Sequence, residues 1–161
     1  FRRVLFRSDH NAASSSEAET SDEEISLSGY HILLAEDNLL NLEIAEFILT
    51  DAGAVVTKAC NGEEALHLFM ESSPCEYDII LMDIMMPVMD GYQTTRAIRS
   101  LDRPDAKTIP ILAMTANAFA EDRQKTYAAG MNEHLTKPLD TELLLKTIAK
   151  YTPEKKAPMT P

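Results

Sequence analysis

Four short stretches of this 161-residue chain carry side chains that could act together on a phosphoryl group: Glu36-Asp37, Asp83, Thr115 and Lys137. Each stands at the carboxyl end of a short apolar run, the place where an open parallel sheet gathers its ligands. Glu36 and Asp37 are neighbours, so both can serve one ion from a single loop. Asp83 stands alone after its run, where one oxygen can be aimed at an electrophile. Three carboxylates at close range repel, and a hard divalent cation is the usual remedy. Magnesium fits, because it takes one or two carboxylates and keeps other positions open for a phosphoryl oxygen. Lys137 offers a compact point charge that a phosphate can recruit.

The elements that must position these residues alternate. The apolar runs are His31–Ala35, Ala54–Ala59, Asp78–Met82, Pro110–Met114 and, more weakly, Glu133–Thr136. Ile32-Leu33-Leu34-Ala35 and Ile79-Ile80-Leu81-Met82 do not alternate with polar residues, which marks strands covered on both faces. Helical spacing fills the gaps. Leu42, Ala45 and Leu49 repeat on one face before Gly53, and Asn61 with Glu64 has the form of a capping box. Asp90 with Gln93 starts the next helix, whose stripe is Ile98 and Leu101. A fourth helix runs from about Ala118 to Ala129 and stops at Gly130, and Asp140 caps a last one that buries Leu144, Ile148 and Tyr151. This (βα)5 alternation predicts an α/β fold, a doubly wound parallel sheet between two layers of helices, over residues 29–151.

The flanks read differently. Residues 9–28 hold six acids and no Lys or Arg and are expected to be a disordered acidic linker, and residues 152–161 a linker or tail. Residues 1–8 are expected to be a non-native scar, with the natural protein continuing upstream. Net charge is −11, and residues 29–151 carry 19 acids against 10 Lys or Arg, so direct contact with nucleic acid is not expected. No apolar run is long enough to span a bilayer, so membrane contact by this domain is not expected and a cytoplasmic location is, although the parent protein could be anchored upstream. Cys60 and Cys75 have no metal-ligand or redox spacing and are expected to be reduced, partly buried thiols, and the methionines around Asp83 to be filler.

The run Leu34-Ala35-Glu36-Asp37-Asn38, the segment from Met82 through Asp83, Met85, Pro87 and Asp90 to Gly91, Met114-Thr115-Ala116 and Thr136-Lys137-Pro138 together resemble the response-regulator receiver family of two-component signalling. The resemblance covers about residues 30–150 and looks most like receivers attached to hybrid histidine kinases. It implies the strand order 2-1-3-4-5 of a flavodoxin-like sandwich. It implies that Asp83 takes a phosphoryl group from a phosphohistidine, and that Glu36, Asp37, Asp83 and the main-chain carbonyl of Met85 hold Mg²⁺ (or Mn²⁺). Lys137 would pair with the phosphoryl oxygens, and Thr115 would move toward them. His134 would be a switch that turns inward after Thr115 moves, in a position where the family commonly has Tyr or Phe. Lys137-Pro138 would be a cis peptide, although sequence alone favours a trans proline opening the last helix. Apolar Met85 would give the hydrolytic water little help.

The implied partners are a histidine kinase or a histidine-containing phosphotransfer domain, docking through Leu39, Leu40 and Asn41. A phosphorylation-dependent dimer through the last two predicted helices is a further expectation. The domain would catalyse only its own phosphorylation and dephosphorylation. Two rivals share parts of this pattern. A flavin carrier needs a hydroxyl-rich phosphate loop where Glu36-Asp37-Asn38-Leu39-Leu40-Asn41 stands, and a Mg²⁺-dependent phosphohydrolase normally wants an acid where Met85 stands. A stand-alone regulator is the alternative to a hybrid kinase.

Overall fold

A computed structural model of the chain describes residues 24–153 apart from Ala118. The scar expected at 1–8, most of the expected linker and the tail from 154 lie outside the described residues. Five parallel strands, β1 (His31–Ala35), β2 (Val55–Ala59), β3 (Ile79–Asp83), β4 (Ile111–Thr115) and β5 (Glu133–Thr136), form one sheet in the expected order β2-β1-β3-β4-β5. Among the described residues six helices connect and follow them: α1 (Leu39–Asp51), α2 (Gly62–Glu71), α3 (Gly91–Arg99), α4 (Pro104–Thr108), α5 (Ala120–Ala129) and α6 (Thr141–Tyr151).

The unbroken apolar runs have a direct cause. Alternate residues of each inner strand feed two separate cores, one on each face of the sheet. Ile32 and Leu34 pack with Leu42, Leu49, Leu144 and Ile148, whereas Leu33 and Ala35 pack with Ala65, Phe69 and Ile98. β3 and β4 are buried at every position. Burying side chains on both faces removes any need for polar alternation. β2 is an edge strand, with Val55 half exposed.

Helix starts follow the capping chemistry. Asn38, Asn61, Asp90 and Asp140 each accept a hydrogen bond from the backbone N–H three residues on. The box at Asp90 and Gln93 is reciprocal. At α2 the Glu64 carboxylate reaches one residue further back and accepts from the N–H of Cys60 at 2.7 Å. α5 has no side-chain cap and ends at Gly130, whose φ of 100° supplies the left-handed turn.

Four expectations need correction. Cys60 and Cys75 are both exposed, not partly buried. The folded unit starts before residue 29, because the few apolar residues of the acidic stretch have a place to go. Leu27 is buried and donates its N–H to the Ala52 carbonyl at 2.7 Å, and Ile25 packs on the same core. It also runs past 151, since the Tyr30 hydroxyl donates to the carbonyls of Thr152 at 3.1 Å and Pro153 at 3.0 Å. Between α3 and β4 lies the short helix α4, which the apolar pattern did not suggest; Pro104 opens it, and Leu101 falls in the loop after α3.

The loop after β3 is tightly constrained. A Cβ on Gly91 would lie 2.4 Å from the carbonyl oxygen of Asp83 and 2.9 Å from the Ile84 Cα, both backbone atoms that cannot step aside. Val88 has a φ of 70° with its side chain three-quarters exposed, a conformation that a β-branched residue adopts only under strain. Gly91→Ala is therefore expected to destabilise the fold by about 2 kcal/mol, and Val88→Gly to stabilise it by about 1 kcal/mol. Urea unfolding of the two variants beside the parent protein measures both, and equal midpoints would contradict this account of the loop.

Candidate functional site

The carboxyl ends of β1 and β3, paired in parallel, bring the predicted acids together. Glu36 follows Ala35, which pairs with Met82, and Asp83 closes β3. Glu36 and Asp83 are buried, Asp37 is exposed, and one carboxylate oxygen from each lies within 4.8 Å of the others. Three hard oxygen donors converging from two strands fit a small divalent cation. Glu36 is further fixed because its Oε1 accepts from the Asn38 N–H at 3.1 Å.

Lys137 reaches this cluster from the end of β5. Its ammonium lies 2.6 Å from Glu36 Oε2 and 3.2 Å from Asp83 Oδ1. The Lys137 backbone N–H donates to the Thr115 carbonyl at 2.7 Å, which ties the lysine to the end of β4. The Lys137-Pro138 peptide is cis. Met85 places its side chain outward, whereas its backbone N–H donates to Asp83 Oδ1 at 3.3 Å. Thr115 is buried one strand over from Asp83, and its hydroxyl oxygen accepts from the Asn117 N–H at 3.1 Å. That leaves the hydroxyl hydrogen free to be donated elsewhere.

The electrostatics favour a proton on Asp83. Burial first, and the Glu36 charge second, push its carboxyl up to about 7; Lys137 pulls the other way, and contact with Asp37 adds to the rise. Burial would lower the Lys137 ammonium, but its bond to Glu36 and the charges of Asp83 and Glu36 outweigh that and hold it above the ordinary lysine value. The lysine therefore stays charged while the acid beside it titrates near neutrality.

The His134 ring lies inside the protein, with Nε2 3.1 Å from the Asn117 carbonyl oxygen, while the Asn117 N–H donates to the Thr115 hydroxyl oxygen.

The exposed residues Leu39 and Leu40 belong to a wider feature than the sequence suggested. Leu40, Ile44 and Phe47 recur at helical spacing on the outer face of α1 and are 65%, 48% and 70% exposed. Asn41 and Ile44 line a hollow with Glu36, Lys137, Pro138 and Leu139, which joins this stripe to the acid cluster. Ile44 and Phe47 escaped the sequence reading because α1 carries apolar residues on both faces, and periodicity alone does not say which face the sheet takes.

Comparison with known proteins agrees with this geometry. Residues 32–149 match the model of the response regulator receiver domain. The chain is 37% identical over 135 residues to hybrid signal transduction histidine kinase I of Dictyostelium discoideum, covering 80% of this chain and 8% of that protein. The chain thus spans only a small part of that curated relative's length. Among solved structures, it is similar to the receiver domain of a sensor histidine kinase from Pseudomonas aeruginosa with a magnesium ion coordinated in the active site cleft: TM-score 0.71, 37% identity, 79% of this chain and all of that one. It is also similar to a chain of the Saccharomyces cerevisiae co-crystal of a histidine phosphotransfer protein with the receiver domain of its downstream response regulator: TM-score 0.68, 27% identity, 76% of this chain and 88% of that one.

The raised Asp83 value has a definite sign for stability. A carboxyl whose folded value lies above its unfolded one stabilises the fold at low pH, below the unfolded value, and that contribution is lost as pH rises through about 7. In EDTA, Asp83→Asn is therefore expected to melt a few degrees above the parent at pH 8, on the order of 1 kcal/mol, and close to it at pH 5. Equal melting differences at both pH values would show that ionised Asp83 is not under this strain.

Proposed function

Because the chain belongs to the response regulator receiver family, we propose that Asp83 accepts a phosphoryl group from a phosphohistidine on a histidine kinase or a histidine-containing phosphotransfer domain. The observation that carries this reading is the convergence of Glu36, Asp37 and Lys137 on the buried carboxylate of Asp83 at the end of the central strand. A carboxylate oxygen of Asp83 attacks phosphorus; the O–P bond forms as the P–N bond of the donor breaks. The departing imidazole keeps the electron pair of that bond and takes up a proton.

The residues divide the work by charge. Asp37 and Asp83, with the main-chain carbonyl of Met85 and with Glu36 directly or through water, are the groups to hold Mg²⁺, or Mn²⁺ in its place. A bound divalent cation offsets the negative charge of the incoming phosphoryl group and favours the ionised form of Asp83. Lys137 gives up part of its contact with Glu36 and pairs with phosphoryl oxygens, to which it presents a fixed positive charge. Thr115 donates its free hydroxyl hydrogen to another of these oxygens.

Output goes through protein contacts. The change at Thr115 and His134 alters the surface of α5 and the neighbouring β5 and α6, and a phosphorylation-dependent dimer through α5 and α6 is one way to read it. The likeness to hybrid histidine kinases supports a parent protein of that kind, in which this domain receives the phosphoryl group made upstream; a stand-alone regulator is the alternative. Among the described residues no helix is long and apolar enough to cross a membrane.

The phosphodonor docks on the α1 stripe beside the acid cluster. Leu40, Ile44 and Phe47 offer it an apolar anchor, with Leu39 exposed at the start of the same helix and Asn41 lining the hollow that leads to Lys137.

Two tests follow. With Mg²⁺ and a small phosphodonor such as acetyl phosphate, the intact mass should rise by one acid-labile phosphoryl group, and Asp83→Asn should take none. A label on another residue, or steady turnover of phosphate esters, would overturn the assignment. Phe47→Glu or Leu40→Glu should slow transfer from a phosphorylated histidine donor by about tenfold, the effect of one lost interface anchor, while uptake from acetyl phosphate stays unchanged. Equal slowing of both donors would place the effect in the site and not in docking.

A further inference from the structure

The turn between β2 and α2 touches both loops that carry the candidate metal ligands, although none of its own residues is among those ligands. On one side the Ala59 carbonyl accepts from the Glu36 N–H at 3.1 Å, which ties the turn to the loop after β1. On the other the Gly62 N–H donates to the Met89 carbonyl at 3.2 Å, which ties it to the loop after β3. Between these contacts the turn is held by its own side chains. Asn61 Oδ1 accepts from the Glu64 N–H at 2.8 Å, and Glu64 Oε2 accepts from the Cys60 N–H at 2.7 Å. The capping pair that starts α2 therefore also sets the spacing between the Ala59 carbonyl and the Gly62 N–H.

Gly62 is required here for space. It does not share the left-handed backbone of Gly53 or Gly130, so its φ does not demand glycine. A Cβ at this position would overlap the Thr94 hydroxyl oxygen and the Met89 carbonyl oxygen, and would stand 3.1 Å from the Met89 carbonyl carbon. Thr94 is fully buried, and its hydroxyl donates to the Asp90 carbonyl at 2.8 Å, so it has little room to turn aside. The loop after β3 is pinned at its ends. The Ile84 N–H donates to the Met114 carbonyl at 3.1 Å, and the Ile84 carbonyl accepts from the Gly91 N–H at 2.9 Å. Pushing the Met89 carbonyl outward therefore bears on the short stretch from Met85 to Val88.

We propose that Gly62 is a positioning residue for the divalent cation: its bare Cα lets α2 start close enough to hold the Met89 carbonyl, and with it the stretch that carries the Met85 carbonyl. The inference rests on the reading of Glu36, Asp37, Asp83 and the Met85 carbonyl as the metal-holding groups. Groups one step behind the ligands tune metal affinity by orienting them. Here that step is a backbone contact, and the absence of a side chain makes it possible.

Mg²⁺ titration of the whole chain, followed by amide NMR, tests this. Gly62→Ala should weaken Mg²⁺ binding about tenfold, the lower end of the range for a group that orients a ligand. Ile148→Val, in the core on the other face of the sheet, also costs stability and should keep the parent's affinity. Glu64→Ala frees the Cys60 N–H and should weaken Mg²⁺ as well. Glu64→Gln, which keeps an acceptor oxygen without the charge, should stay close to the parent. Parent affinity in Gly62→Ala, or an equal loss in Ile148→Val, would overturn the proposal. Should Gly62→Ala fail to fold, the Glu64 pair decides, and equal affinities of its two members would overturn the proposal too. A parent protein that binds no Mg²⁺ would instead refute the metal reading on which the inference rests.

Discussion

The repulsion among Glu36, Asp37 and Asp83 is the constraint around which this domain is organised. Two of these carboxylates are buried, and a protein of this size gains no stability by crowding like charges at the end of its central strands. Lys137 relieves part of the cost, but it lies closer to Glu36 than to Asp83, and the balance at Asp83 still favours a proton. The site is thus held short of its own electrostatic optimum. A divalent cation at these carboxylates would offset part of that repulsion, and a phosphoryl group on Asp83 would give the lysine a second partner.

Holding such a site requires a rigid frame, and the sheet provides it. Parallel pairing in the order β2-β1-β3-β4-β5 sets β1 beside β3 and places the ends of β3, β4 and β5 in a row. Acid, hydroxyl and ammonium therefore come from neighbouring strands whose positions are fixed by two hydrophobic cores. The loops can be short because they only need to turn the chain from a strand end into a capped helix. Gly91 shows how tight that turn is after β3: the start of α3 sits against the backbone of Asp83 with no room for a Cβ between them.

Most of this was legible in the residues. Unbroken apolar runs announced strands buried on both faces, caps at Asn38, Asn61, Asp90 and Asp140 announced helices, and the acids at the ends of the runs announced the site. Three kinds of feature were not. Ile25, Leu27 and Tyr30 lie in or beside a stretch dominated by acids and serines, and composition gave no sign that these few side chains dock on α1 and α6. The exposed stripe on α1 was hidden for the opposite reason, since a helix that is apolar nearly all round carries no marker of its outward face. His134 is a third case: its position was readable, but its state depends on a carbonyl and a hydroxyl seventeen and eight residues away in sequence, which only the folded chain brings to it.

Separation of recognition from chemistry follows from where these features sit. The apolar stripe of Leu40, Ile44 and Phe47 and the hollow at Asn41 and Pro138 lie outside the acid cluster, yet Lys137 and Glu36 belong to both. A partner seated on α1, as proposed, would cover this hollow and keep water from the Lys137–Glu36 pair. Excluding water strengthens every charge interaction in the site. Docking on this face would not merely bring a donor near Asp83. It would raise the stakes of the same unbalanced electrostatics, so that the partner's seat and the reactivity of the carboxylate are linked through one shared ion pair.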